Sequence, residues 1–231
     1  GRNNHTYVIG AYQRLLVESD QMSGYVFSGD VDEFQGKFKL SNFALYSKFN
    51  ILFAQGIGFD LSSRVESAWL DYDATSLKDL DYNGTYETVY SSSTRDRAEL
   101  LSAFKALAYY NTSENDRTFV SVSTGYKAGG VNQNPFIADE KKYYSPEQNI
   151  SFELGCKAFS LGASYQATLF YMLRENLQVS ISDQKDPQDP NSFFYFTANA
   201  SSGHNYGAEF EGSHIFFNNK VRIIKINICI S

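Results

Sequence analysis

The sequence has little of what enzymes, metal proteins and disulfide-stabilised domains require. Only 2 Cys occur in 231 residues, which is too few for a disulfide framework, and Cys156 and Cys229 lack zinc-ligand spacing. The 20 basic residues are outnumbered by 26 acidic ones, for a net charge of −6, and nothing resembles the basic stripe of a nucleic-acid-binding protein. The sequence has no run of 18 apolar residues, so it predicts no transmembrane helix.

Candidate catalytic groups are equally scarce. His5 stands near the N-terminus, and His204 and His214 share the parity of Phe194 and Phe210, so we expect them to face outward among apolar neighbours. The carboxylates Glu209 and Glu211 have a spacing that some glycosidase acids use, but simple lining of a hydrated interior explains them better. The sequence therefore predicts no catalytic residue, no metal site and no cofactor.

What the chain does have is alternation in steps of two, the side-chain period of a β-strand. From Glu147 to Ala158, Ile150, Phe152 and Leu154 alternate with polar residues such as Glu153. Similar segments predict an antiparallel all-β fold of about nine strands, at residues 5–17, 41–50, 57–72, 98–110, 117–127, 147–158, 163–181, 193–216 and 221–230.

The connections between these strands alternate in length. The gaps near 51–56, 111–116, 159–162 and 217–220 are short, whereas 18–40, 73–97, 128–146 and 182–192 are long, and two of these hold all 4 prolines. Long strands with tight turns at one end and long loops at the other are typical of an up-and-down transmembrane β-barrel. A soluble secreted β-barrel or sandwich that binds a ligand or a carbohydrate is the alternative.

Aromatic residues, 17 Tyr and 19 Phe, gather near the ends of the predicted strands. In a membrane barrel such residues form girdles at the two interfaces. The candidates for these girdles are Tyr7, Tyr12, Trp69, Tyr72, Tyr109, Tyr110, Tyr143, Tyr144, Phe193 and Phe194.

An ordered series of motifs resembles one family. The strand from Arg117 ends in Gly125-Tyr-Lys-Ala-Gly-Gly-Val-Asn132, with Val131 where the family commonly has Phe. It is followed by Tyr144-Ser-Pro-Glu147, Ser151-Phe-Glu-Leu-Gly-Cys-Lys157, Ala167-Thr-Leu-Phe-Tyr-Met172, Asn199-Ala200 and Gly207-Ala-Glu-Phe-Glu211, and preceded by Arg64-Val-Glu66. Over roughly residues 41–217 this order resembles the TonB-dependent outer-membrane receptors of Gram-negative bacteria.

The resemblance implies a 22-stranded barrel closed by a separate plug domain. Its partners would be membrane lipid, the plug, the TonB complex and a scarce nutrient, most commonly a ferric siderophore. We find no plug, TonB box or final aromatic strand, so we expect a middle-to-late barrel fragment that does not transport alone; a gene remnant would also fit. The tail 221–231 departs from the family composition and is either a true strand or an out-of-frame segment.

Two groups of site residues follow. Side chains on the polar parity are expected to line the lumen as a charge ladder, and that wall would hold the plug through polar contacts: Arg64, Glu66, Lys105, Glu147, Glu153, Lys157, Arg174, Glu209 and Glu211. Aromatic and polar residues near the longest motif are expected to contact the ligand: Tyr126, Asn132, Phe136, Tyr143 and Tyr144. Cys156, on the apolar parity, is expected to face lipid.

Overall fold

The computed structural model describes residues 4–27, 30–53, 56–134, 137–185, 188–216 and 220–230. Its elements are β1 (Asn4–Val26), β2 (Val31–Leu52), β3 (Ile57–Lys78), β4 (Glu87–Asn111), β5 (Asp116–Lys127), β6 (Gly130–Val131), α1 (Asp139–Lys142), β7 (Tyr143–Tyr144), β8 (Glu147–Ser160), β9 (Ala163–Gln184), β10 (Phe193–Phe216) and β11 (Lys220–Ile230). Among these residues, no helix has the length and apolarity needed to cross a bilayer.

Nine strands form one antiparallel meander in the order β1-β2-β3-β4-β5-β8-β9-β10-β11, while β6 and β7 form a separate two-stranded sheet. The prediction of an all-β fold built from nine sequential strands is confirmed. The tail also pairs as a strand, because β11 runs antiparallel to residues 206–216 of β10.

The two faces of the nine-stranded sheet differ in character. On one face, here called the outer face, large apolar side chains are exposed: Phe152 by 48%, Leu154 by 53% and Leu169 by 58%. The opposite face carries polar and charged groups and is called the inner face. A cavity of about 370 Å³ on it is bounded by residues of six strands, from Asp60 on β3 to Glu209 on β10. The segment between β5 and β8 contacts both Tyr72 on β3 and Asp183 on β9, so the sheet is concave on this side.

The polarity of the faces inverts partway along the strands. On β3 the outward residues from Ile57 to Trp69 are largely apolar, but beyond Trp69 they become Asp71, Asp73 and Thr75. The inward residues change in the opposite sense, and the buried residues Val26, Val31, Phe34, Leu70, Tyr72 and Ala74 form an apolar cluster there. The outward apolar segment rises about 40 Å at roughly 3.3 Å per residue, or about 30 Å along the normal for a tilt of about 40°. This length fits a bilayer core.

Glycines on the inner face are covered by aromatic rings from neighbouring strands. Tyr109 lies over Gly58 so closely that a β-carbon at that glycine would collide with the ring, and Phe119 covers Gly155 in the same way. Tyr109 is 5% exposed and Phe119 7%. Arg117 then stacks on Tyr109, with its Cζ 4.0 Å from the ring centroid. Glycine is required here because the backbone of one strand supports a ring of the next.

Several details of the sequence-based prediction were wrong. Residues 18–40 and 73–97 are mainly strand, since β1 with β2, and β3 with β4, continue as paired hairpins well beyond the apolar band. Tyr72 and Tyr109 are buried on the inner face and are not girdle residues. Tyr12 also faces inward, where the Arg64 guanidinium lies 5.2 Å from its ring centroid.

Phe194 and Phe196 share the apolar parity of the strand at 193–216, which predicts that they face outward, but both lie on the inner side. Phe196 is 7% exposed, and the Lys141 ammonium lies 5.5 Å from its ring centroid. Phe194 packs beside it, with the ring centroids 6.0 Å apart. The β9–β10 ladder skips Asn176 and Ser201 without a change of register, and Asn176 has a left-handed φ of 53°. The residues beyond this interruption face the other way from those in the regular part of the pair.

Candidate functional site: the inner face and the hairpin folded over it

The inner face carries three charge clusters. The first lies beside β3. Arg64 binds Glu66 at 2.5 Å, and Asn42 donates a 2.6 Å hydrogen bond to the same carboxylate. The Tyr126 hydroxyl donates to Glu66 at 2.8 Å and lies 3.0 Å from the Arg64 Nε. Glu66 is only 7% exposed, so these charge-assisted bonds compensate for its lost hydration.

A second cluster stands where β8 begins. Glu147, 6% exposed, accepts bonds from Arg174 at 2.5 and 2.8 Å. Its other oxygen accepts the backbone N–H of Gln178 at 3.0 Å. This carboxylate therefore ties β8 to a part of β9 that lies beyond the β8–β9 ladder.

The third cluster crosses the middle of the inner face. Lys105 and Glu153 are 3.8 Å apart and partly exposed, a separation that contributes about 0–1 kcal/mol. Ser121 donates to the same carboxylate at 3.0 Å. The Lys157 ammonium lies 5.9 Å from the Phe119 ring centroid, and Glu209 borders the inner cavity.

All nine side chains predicted on the polar parity thus lie on the inner face, but not as one continuous ladder. Six of them form three pairs, Arg64–Glu66, Lys105–Glu153 and Arg174–Glu147. Glu211 is exposed on the same face, opposite Gln166. Alternation predicted the face, but the choice of partners depends on the register between strands, which the sequence does not encode locally.

The segment between β5 and β8 folds across one end of the inner face. This is the end at which β5 stops and β8 begins, and we call it the outer end. We call its described part, residues 128–134 and 137–146, the inward hairpin. On the β3–β4 side, Tyr72 donates to the Gln133 carbonyl at 3.5 Å and the Gly129 N–H donates to Glu99 at 3.1 Å. On the β9–β10 side, Lys141 pairs with Asp183 at 3.3 Å. The hairpin therefore bridges the two sides of the concave sheet.

Lys142 anchors the centre of this hairpin. It is 1% exposed, and its ammonium donates to the Asn134 carbonyl at 3.0 Å while lying 4.3 Å from the Tyr90 ring centroid. An ion pair between Asp30 and Lys185 joins the turn after β1 to the segment after β9. These contacts lie at the outer end of the inner face, which we call the mouth, and sequence analysis missed them because none follows a local motif.

The predicted ligand contacts have different environments. Asn132 is 8% exposed, and its amide serves the fold because it accepts from the Thr197 N–H and donates to the Thr197 carbonyl, both at 2.8 Å. Tyr126 belongs to the Glu66 cluster. Tyr143 is half-buried beneath Arg97, whose Cζ is 4.7 Å from the ring centroid. Phe136 lies outside the described residues.

Tyr144 is half-buried within the inward hairpin. Burial, and then the nearby Glu99 carboxylate, raise the pKa of its hydroxyl. It therefore stays a neutral hydrogen-bonding group at ordinary pH.

His204, His214 and Cys156 lie on the outer face. Tyr171 and His204 form a hydrogen bond of 2.9 Å there, Tyr165 and His214 form one of 3.0 Å, and Cys156 is exposed. No group of three His, Cys, Asp or Glu side chains within the described ranges is placed to hold a metal ion.

Comparison with known proteins gives a consistent family. The model described as "TonB dependent receptor-like, beta-barrel" matches residues 1–223. The ferric yersiniabactin uptake receptor FyuA from Yersinia pestis superposes with a TM-score of 0.73 at 17% identity, over 97% of this chain and 32% of that one. The ferric-catecholate import receptor Fiu from E. coli K12 gives 0.57 at 13%, over 97% and 39%.

A third structure, the copper transporter OprC, has a TM-score of 0.56 at 10% identity, over 96% of this chain and 42% of that one. No curated protein matches the sequence. At these identities the structures demonstrate a common fold, and the chain spans about a third to two fifths of their lengths.

Proposed function

This chain belongs to the TonB-dependent receptor β-barrel family, and from that premise we propose that it forms part of the wall of an outer-membrane receptor that takes up a scarce nutrient. Members of this family are receptors and transporters, so the chain is not an enzyme. In this proposal the outer face lies against lipid, and the inner face borders a lumen that holds a plug domain.

The observation that carries the proposal is the inversion of polarity along single strands. A soluble barrel or sandwich has no reason to expose Phe152, Leu154 and Leu169 together on one face, because exposed apolar area on that scale is unfavourable in water. Beyond Trp69 the outward residues turn polar and the inward ones apolar. That change is expected where a strand passes from hydrocarbon into water.

A ferric siderophore is the proposed cargo class. FyuA and Fiu are named for ferric complexes, and both align over 97% of this chain. Tyr143 and Tyr144, on the inward hairpin near the mouth, remain our candidate ligand contacts, together with Tyr126. Arg97 lies over the Tyr143 ring and 3.9 Å from Glu99, so an anionic aromatic ligand at Tyr143 would meet both a ring and a partly neutralised cation.

We further propose that transport requires a complete barrel, a plug and the TonB complex. A strand edge left unpaired in hydrocarbon costs several kcal/mol for each unsatisfied backbone group. The charge clusters on the inner face provide polar contacts of the kind a plug needs, since such contacts hold without a large apolar interface.

The test is uptake by a receptor-deficient strain that expresses the intact protein. We expect accumulation of radiolabelled iron from a ferric siderophore to depend on TonB and to fall when Tyr143 is replaced by Ala. A panel of ferric-siderophore and copper complexes separates the cargo classes. Uptake of copper alone would overturn the iron assignment, and a soluble periplasmic or secreted product would overturn the receptor assignment.

A further inference from the structure

The inward hairpin continues the β5–β8 pair in the same register. That pair runs from Asp116 opposite Ala158 to Lys127 opposite Glu147. Beyond an interruption at 128–129 and 145–146, Gly130 lies opposite Tyr144 and Val131 opposite Tyr143, which are the partners an unbroken ladder would give. The inward hairpin is therefore one long β-hairpin bent off the wall of the sheet.

The bend leaves two strand edges open. The β4–β5 ladder ends at Lys105 opposite Ser123, although β4 begins at Glu87. Beyond that point the Phe104 N–H donates to the Thr124 hydroxyl at 3.0 Å. Because peptide groups of an antiparallel strand alternate between its two edges, those of Leu100 and Ser102 point into the same opening. Among the described residues no β5 partner faces them.

The other side of the opening is the edge of β9. The β8–β9 ladder ends at Gln148 opposite Glu175, whereas β9 continues to Gln184. In place of a strand, side chains satisfy this edge, since Glu147 accepts the Gln178 N–H. Together the two edges frame a window from which the bent hairpin is displaced.

The β4 edge is in register with a straightened hairpin. Continuing the β4–β5 ladder without a shift places Ser102 opposite Tyr126 and Leu100 opposite Ala128. On the β9 side the same continuation places Ser145 opposite Gln178, but the left-handed Asn176 lies between Glu175 and Gln178, so a straight hairpin pairs there beyond one irregular residue. The pairing is thus already set on the β4 side of the window.

We propose that this hairpin is a gate with two hydrogen-bonded positions: bent over the inner face, as observed, and straight within the wall, paired to β4 and β9. The bent position is held by Asn132 on Thr197 and by Asn199, whose amide exchanges bonds with the backbone of Ser145. Moving to the straight position exchanges these side-chain bonds for ladder bonds, as a bistable element requires. The straight position uncovers the outer end of the inner face.

Tyr126 forms the hinge contact of the bent position. Strand alternation would direct its side chain outward with Val120 and Val122, yet its hydroxyl reaches Glu66 on the inner face. Straightening therefore breaks the Tyr126–Glu66 bond, and the gate is coupled to the charge cluster that borders the lumen.

The test traps the straight position with a disulfide in the intact protein in its native membrane. Leu100→Cys with Ala128→Cys, in a background with Cys156→Ser and Cys229→Ser, places two thiols directly opposite each other only when the hairpin is straight. In the bent position Leu100 points outward, 78% exposed, while the hairpin lies on the inner face, so the two Cβ vectors diverge. We measure the rate of cross-linking under mild oxidation.

Adding Asn132→Ala should speed this cross-link by about fivefold or more, because it removes the bonds to Thr197. Gln133→Ala is the matched control, since Gln133 contributes only a backbone carbonyl to Tyr72. A second pair, Ala106→Cys with Val122→Cys, sits opposite in the intact part of the same ladder and should cross-link equally in every background. Cross-linking of this second pair alone, or equal rates for Asn132→Ala and Gln133→Ala, would overturn the gate.

Discussion

The hydroxyl of Tyr126 on β5 donates a 2.8 Å hydrogen bond to the carboxylate of Glu66 on β3. The two residues are 60 positions apart in the sequence, and β4 lies between their strands. This contact joins the end of β5, just before the inward hairpin, to a buried charge on β3. Glu66 also holds Arg64 and Asn42, so three segments of the chain meet at one carboxylate.

Removing that hydroxyl should measurably weaken the fold. Tyr126→Phe is expected to lower the free energy of unfolding by about 1.5–3 kcal/mol, the usual range for a hydrogen bond to a charged group. The measurement is denaturant unfolding of the protein in micelles. Tyr110→Phe serves as the control, because Tyr110 is 50% exposed. Equal effects of the two substitutions would mean that the contact with Glu66 contributes nothing.

The carboxylates of the inner face should differ sharply in importance. Glu147→Gln is expected to destabilise by about 2 kcal/mol, because it weakens the bonds from Arg174 and the Gln178 N–H, with a discount for the partly exposed Arg174. Glu211→Gln, at an exposed site on the same face, should change stability by less than about 0.5 kcal/mol. Thermal unfolding followed by band shift on gels compares them, and a larger loss for Glu211→Gln would contradict this assignment.

A β-carbon at Gly58 should disturb the Tyr109 ring. Gly58→Ala is expected to cost about 1–3 kcal/mol through overpacking, since Tyr109 is held in turn by Arg117. At Gly203 a new β-carbon meets only the end of the flexible Leu177 side chain, at 3.1 Å, so Gly203→Ala is the control. If both variants fold and unfold alike, the ring is free to move and the packing argument fails.

The apolar band predicts how charge is tolerated on the outer face. Leu169→Arg should lower stability in lipid by about 2–4 kcal/mol, the range for a basic residue near the bilayer midplane. Thr75→Arg, beyond Trp69 on the outward parity, should cost less than about 1 kcal/mol. Folding into liposomes, scored by protease protection, distinguishes them. Equal tolerance of arginine at both sites would remove the basis for placing this face in lipid.

Period-two alternation predicted most of the fold, because each strand of a membrane barrel presents one face to hydrocarbon and the other to a polar interior. It failed at Phe196 and Tyr72, which are buried on the inner face beyond the outward apolar band, where the same alternation serves the opposite purpose. It also failed at residues 18–40, which were predicted to be a loop. The outward residues of this segment, such as Lys37 and Lys39, are polar, and without outward apolar residues the segment was not recognised as strand.

The sequence predicted less of the candidate site than of the fold. Residue parity placed Arg64, Glu66, Glu147 and Arg174 on one face, but the pairing of Tyr126 with Glu66 depends on the bend after β5. Nothing near Lys142 in the sequence indicates that this lysine is buried on Tyr90. Such contacts arise from how distant strands curve toward each other.

The inversion of polarity beyond Trp69 also limits which insertions and deletions β3 can accept. Loss of one residue between Trp69 and Tyr72 would swap every later side chain to the other side, turning Tyr72 toward water and Asp71 and Asp73 toward the apolar cluster. Peptide tags and natural insertions should therefore be accepted in the 79–86 turn at any size, but within β3 only in steps of two.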